Sequence, residues 1–170
     1  MNDRVLLAAA VILLLIAGIA VGMSLGLHER GDYEWTTVTI EDAETGDRLA
    51  TVDARIADTW EKRYIGLSNT EDLAPDEGMW FVHDDPGTYD YVMREMSFPI
   101  DIVFVDEDGT ITTIHEAHVE EDQSSLATYT GYGQYVLEVN LGFTDDHGIE
   151  EGDRVVEPIH SPADDADDTA

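Results

Sequence analysis

Once the acids are set aside, few side chains in this sequence have types that could do chemistry. Carboxylates are so frequent, 38 Asp and Glu in 170 residues, that a pair of them at catalytic spacing carries no information. Basic residues are rare, 8 Lys and Arg in all, and two fall in apolar surroundings. Arg63 stands in a segment with helical periodicity, and Arg94 stands in Val92-Met93-Arg94-Glu95-Met96, between two apolar runs. A guanidinium so placed either holds a structural ion pair with a neighbouring acid or grips a carboxylate or phosphate bidentately. Met79, Trp80, Phe81, Met93, Met96 and Phe98 add polarizable apolar surface, suited to a core first and a pocket second. If these segments form a pocket, the expected lining is Arg63, Met79, Met93, Arg94, Asp101 and Glu138. An enzyme of the hydrolase type would instead draw its acid/base groups from Asp101, Glu138 or His115.

Metal motifs fail on spacing. Asp106-Glu107-Asp108-Gly109 invites a calcium reading, but an EF-hand loop with Gly109 sixth would start at Phe104 and end at His115, where Asp and Glu are required. An acidic hairpin turn is the expectation. His115-Glu116-Ala117-His118 spaces its histidines by three at a strand end, where such positions face opposite sides, whereas the zinc-protease pattern spaces them by four on a helix. The sequence holds no cysteine, which excludes disulfides, thiolate metal sites and a Cys nucleophile. No Gly-x-Ser-x-Gly elbow, phosphate-binding glycine loop or dinucleotide fingerprint occurs. No metal and no cofactor are expected.

The elements that must position these residues are mostly strands. Trp35–Glu41 and Arg48–Ala57 are β-branched or alternating, joined by a loop containing Gly46. The period then changes. Asp58 followed by Glu61 fits a helix N-cap with its reciprocal partner, and Trp60, Tyr64 and Leu67 share one helical face. Further strands are expected at Gly78–His83, Thr88–Met93, Ile100–Val105, Thr110–His115, Tyr135–Leu141 and Arg154–Ile159, with Asp84-Asp85-Pro86-Gly87 as a turn and 119–128 as a polar loop. About eight short strands with one helix predict a mainly β fold, a single compact β-sandwich or jelly-roll-like barrel.

Residues 5–27 contain no charge and are long enough to cross a bilayer core of about 30 Å. A transmembrane anchor is expected there, with a cleaved signal peptide as the alternative, because small residues (Ala20, Gly22, Ser24, Gly26) follow the apolar run. The domain plan is therefore a short tail (1–4), the anchor (5–27), a stalk (28–34), a β-rich domain (35–160) and an acidic disordered tail (161–170). Arg4 before the span favours the C-terminal domain outside the cell membrane, or secreted if the segment is cleaved.

Beyond residue 32 the chain keeps 35 of its 38 acids and 6 of its 8 basic side chains, a net charge of −29. Self-repulsion at that density is relieved only where salt screens it, to about 3 Å at 1 M. With one Lys against seven Arg, the composition is that of an extreme halophile's protein. The same charge excludes nucleic acid as a partner, since phosphate recognition needs basic surface.

Seven segments in order carry a family resemblance: Ala57-Asp58-Thr59, Arg63-Tyr64-Ile65-Gly66-Leu67, Asp76-Glu77-Gly78-Met79, Tyr91-Val92-Met93, Pro99-Ile100-Asp101-Ile102-Val103-Phe104, Tyr135 to Asn140 and Gly148 to Asp153. Over roughly Thr36 to Pro158 the chain resembles the domain-of-unknown-function family 192, small β-domains often found behind a signal or membrane segment. The resemblance implies a compact β-sandwich or jelly-roll-like fold and brings no established activity. Two departures stand out. The usual Met-Lys-Asn-Thr is here Met93-Arg94-Glu95-Met96, and the usual Gly-Leu-Met is Gly66-Leu67-Ser68. The expected function is a non-catalytic, membrane-anchored extracytoplasmic module that binds a small ligand or a partner protein. A hydrolase and a structural cell-envelope factor are the alternatives.

Overall fold

The computed structural model describes residues 33–158. The expected anchor, most of the stalk and the acidic tail lie outside these residues. Among the described residues no helix is long and apolar enough to cross a membrane.

Seven strands form one sheet: β1 (Trp35–Glu41), β2 (Arg48–Ala57), β3 (Glu77–Tyr91), β4 (Ile100–Val105), β5 (Ile111–Ala117), β6 (Tyr129–Asn140) and β7 (Arg154–Glu157), in the order β5-β4-β6-β3-β2-β1-β7. All neighbours are antiparallel except β2 and β3. That parallel pair needs a crossover, and helix α1 (Trp60–Ile65) lies in it. The two ends of the sheet meet through backbone bonds: Ile111 N–H donates to Asp153 O (2.8 Å), Gly152 N–H to Ile111 O (2.8 Å) and Val155 N–H to Gly109 O (2.8 Å). The sheet is thus a curled half-barrel joined at one end, not a two-sheet sandwich. Strand twist accumulated over seven strands brings the edges together and covers part of each.

Strand alternation sorts the side chains. The inner face carries Val38, Ile40, Val52, Ala54, Trp80, Val103, Val105, Leu137 and Val139, closed by Phe143 and Ile149. Each Val, Leu, Ile and Phe among them contributes about 1.5–3 kcal/mol when fully buried. The opposite face carries Met79, Phe81, Ile102, Phe104, Val136 and Glu138, which alternate with the inner set in register. This face is also covered. β3 and β6 continue past a register shift between Val82 and Gly87, and Tyr91 meets Phe81 and Phe104 edge-on, with ring centroids 5.2 and 5.6 Å apart. Gly131 lies over the Phe104 ring, where an added Cβ would come within 2.3 Å of Cγ, so only glycine fits.

Several elements depart from the sequence expectation. The two strands expected at Gly78–His83 and Thr88–Met93 are one strand, because the Asp84–Gly87 segment bulges without reversing the chain. β6 starts at Tyr129 rather than Tyr135, since it pairs with that extended strand. The helix N-cap is Thr59, whose hydroxyl accepts the Lys62 N–H; Asp58 instead pairs with Lys62 Nζ at 2.7 Å. A second short helix, α2 (Phe143–His147), has no expected counterpart.

Candidate functional site

The outer face opens into one cleft of about 430 Å³, bounded by α1, the segment after it, and the 92–96 segment. Its apolar wall is Leu67, Phe81, Met93, Met96 and Ile100, all buried. Its rim is exposed aromatic and apolar surface. Trp60 (67% exposed) and Tyr64 (56%) stack at 5.2 Å between centroids, and the exposed Val92 is also on the lining. Trp60 and Tyr64 are the i and i+4 residues of the expected helical face, yet α1 turns that face to solvent. Leu67, past the helix end at Gly66, is the residue that enters the core.

Glu138 is the central polar group of the lining. It lies on β6 between Met79 of β3 and Ile102 of β4, and it is 6% exposed. Burial alone raises its carboxyl to about 8, and it accepts no hydrogen bond from any described residue. In a half-covered sheet this outward position would be wet. Here α1 and the 92–96 segment cover the outer face, so the carboxyl lies within the domain.

A second polar group borders it. His83 Nε2 meets the Tyr91 hydroxyl at 3.0 Å, and the His83 ring stacks on Tyr89 at 3.6 Å. Burial, then the positive Arg63, lowers His83 to about 4. Burial, then the nearby Glu138, raises Tyr91 well above the usual phenol range. Both groups are therefore neutral at pH 7.

The two arginines of the lining are engaged with the protein. Arg63 donates from one guanidinium nitrogen to Asp58 O (2.8 Å) and Val82 O (2.6 Å), tying α1 to β3, and stands 4.0 Å from Asp84. Arg94 lies 3.9 Å over the Tyr64 ring and donates to Tyr64 O. The 92–96 segment is held further by the Ser68 hydroxyl, which donates to Arg94 O at 2.8 Å. Glu95, at the position where the family pattern has Asn, has φ 56°, in the left-handed region that Asn tolerates better than Glu.

Of the residues expected to share a pocket, the structure brings Arg63, Met93, Arg94 and Glu138 to this cleft. Met79 is on the same sheet face beside Glu138 but fully buried and outside the lining. Asp101 is on the other face, because its neighbour Ile102 is the residue opposite Glu138. Its carboxylate accepts Gly142 N–H (3.1 Å), Thr144 N–H (2.9 Å) and the Thr144 hydroxyl (2.8 Å), organising the start of α2. His115 faces the Glu138 side, one strand beyond Ile102, and its Nε2 meets Thr130 O at 2.9 Å. Asp101, Glu138 and His115 thus do not form one acid/base site. Phe81, expected as core first and pocket second, forms the cleft wall, while His83, Tyr91, Trp60 and Tyr64 join the lining with no expectation of a site. Trp60 and Tyr64 carry a helical periodicity and Tyr89 and Tyr91 an alternation, signals of secondary structure rather than of a site. No metal-binding group of three or more His, Asp or Glu occurs among the described residues.

The DUF192 family model, described as Uncharacterized ACR, COG1430, matches residues 41–156. Two solved structures share the fold. A chain described as "a putative transcription regulator" from Sinorhizobium meliloti 1021 has 30% identity and a TM-score of 0.66, over 72% of this chain and 93% of its own. A protein of unknown function from Novosphingobium aromaticivorans DSM 12444 has 29% identity and a TM-score of 0.65, over 74% of this chain and 86% of its own. No curated protein matches the chain.

Proposed function

The chain belongs to the DUF192 family, and from that premise we propose that it is a membrane-tethered, non-catalytic module that binds a small ligand in the cleft over Glu138. One observation carries the binding reading. A carboxyl that is 6% exposed and accepts no hydrogen bond from a described residue lines an apolar cleft with an exposed aromatic rim. Its oxygens open on the cleft rather than being sealed in the core, so a ligand there can supply the donor that the described residues do not. Sites of this kind, mostly apolar with a few convergent polar groups, suit small molecules. The tether rests on the uncharged residues 5–27, and the outward orientation on Arg4 preceding them. The net charge of −29 beyond residue 32 fits a salt-rich surrounding and excludes a nucleic-acid partner.

Thermal unfolding of the full-length chain in molar KCl, against a panel of amines, sugars, anions and peptides, tests the binding. A ligand at 100 times its Kd adds about 2.7 kcal/mol. The shift is expected to disappear in Val92→Trp, which narrows the cleft mouth, and to fall in Trp60→Ala. A ligand whose shift is unchanged in both variants binds elsewhere and refutes the site. Membrane fractionation with protease shaving of intact cells tests the tether: a domain that fractionates as a soluble protein overturns it.

A further inference from the structure

We propose that the cleft selects a compact primary amine, with its ammonium group against Glu138 and its apolar body between Phe81, Met93 and the Trp60–Tyr64 rim. The assignment rests on the cleft's being a ligand site and names the class of ligand.

Three observations select the charge. First, among the described residues Glu138 has no cation of its own. Arg63 is committed to two backbone carbonyls and Asp84, and Arg94 to the carbonyl and ring of Tyr64. Across the neighbouring strands Glu138 meets only Met79 and Ile102. Second, the groups around it suit a cation with an apolar body. An ammonium brings three N–H donors and the charge that lets the carboxyl ionise, and aromatic faces attract it further. Third, the net charge of −29 beyond residue 32 draws cations toward the domain and repels anions wherever salt does not screen it. A carboxylate or phosphate ligand would hold Glu138 in its protonated form and form no ion pair with it. A neutral alcohol would leave Glu138 as a carboxylic acid and forgo the charge-assisted bond.

The proton balance gives the proposal a signature. At neutral pH the free carboxyl is protonated, so R-NH3+ binding forms the ammonium–carboxylate pair and expels that proton to the buffer. With Glu138 at about 8, about 0.9 proton leaves per ligand at pH 7. The other groups facing the carboxyl do not blur this. His83 and Tyr91 of β3 stay neutral across pH 6–8. Arg63 of α1 is bound to Asp58 O and Val82 O, and Arg94 of the 92–96 segment to Tyr64 O. Asp90 of β3 holds the Thr130 hydroxyl at 2.6 Å, and β5 presents His115, which is bound to Thr130 O.

The test is calorimetric titration of the full-length chain with benzylamine, benzyl alcohol and benzoate, in buffers of differing ionisation enthalpy. Benzylamine is expected to bind at least tenfold more tightly than its neutral isostere. Its affinity should rise nearly tenfold from pH 6 to pH 7, with about 0.9 proton released at pH 7. Glu138→Gln, checked for native circular dichroism, should lose the preference for amine over alcohol. Trp60→Ala should weaken both compounds while keeping it. Benzyl alcohol binding as tightly as benzylamine, or amine binding without proton release, overturns the amine assignment and leaves the cleft standing as a ligand site. So does benzylamine that fails to bind while another class on the thermal panel gives a shift sensitive to Val92→Trp. The cleft itself falls when no ligand of that panel is sensitive to Val92→Trp.

Discussion

Replacing Glu138 by Gln should stabilise the ligand-free protein, and by an amount that grows with pH. Burial raises the carboxyl from 4.5 to about 8. The unfolded chain therefore releases this proton above pH 4.5, while the native chain keeps it until about pH 8. Between those values the native state binds more protons than the unfolded state, so this group lowers stability as pH rises, and above pH 8 its effect is constant. At 1.36 kcal/mol per unit, the cost of Glu138 is about 1 kcal/mol at pH 5, about 3 kcal/mol at pH 7 and about 5 kcal/mol at pH 9. Gln keeps the shape and does not titrate. The difference between variant and wild type then isolates this group from the other acids, which titrate alike in both. Guanidinium unfolding in molar KCl at the three pH values measures it, and the pH 7 difference corresponds to a transition shift on the order of 10 °C. A stability difference that is the same at pH 5 and pH 9 would show that Glu138 ionises as a solvated carboxylate. The desolvated cleft floor, and the binding reading built on it, would then be wrong.

Other substitutions probe the supports of the site. Asp101→Ala removes three bonds at the start of α2 and leaves two backbone N–H groups without their acceptor, so unfolding should show a loss of about 2–4 kcal/mol with no change in ligand affinity. His83, held to about 4 by burial and Arg63, should show no NMR inflection between pH 5 and 8. Because its folded value lies below the unfolded 6.5, the stability it contributes is complete above pH 6.5 and lost as pH falls toward 4, a loss that His83→Gln should abolish. Glu95→Asn relieves a left-handed backbone conformation at φ 56° and should raise stability by about 0.5–1 kcal/mol, read from the denaturant midpoint.

The sequence by itself determined the strands whose signals are local. Trp35–Glu41, Arg48–Ala57 and Ile100–Val105 are strands over those residues, because β-branched composition and alternation act within a few residues. Scarce basic and thioether side chains stand out in an acidic chain, and Arg63, Met93 and Arg94 line one cleft; Glu138 joins them there, although its type alone did not mark it. Tertiary structure decided the rest. Whether Asp84–Gly87 reverses the chain or bulges depends on β6 pairing with both halves of β3, a contact nearly fifty residues away in sequence. Whether Trp60 and Tyr64 face the core or water depends on which turn of α1 the sheet meets. Asp101 and Glu138 are each a lone acid in a strand, alike in sequence, but register puts them on opposite faces. One then meets two backbone N–H donors and a hydroxyl at the start of α2, and the other an apolar cover with no partner among the described residues. The chemistry of a carboxyl is set by what surrounds it, and in this fold the surroundings come from distant segments.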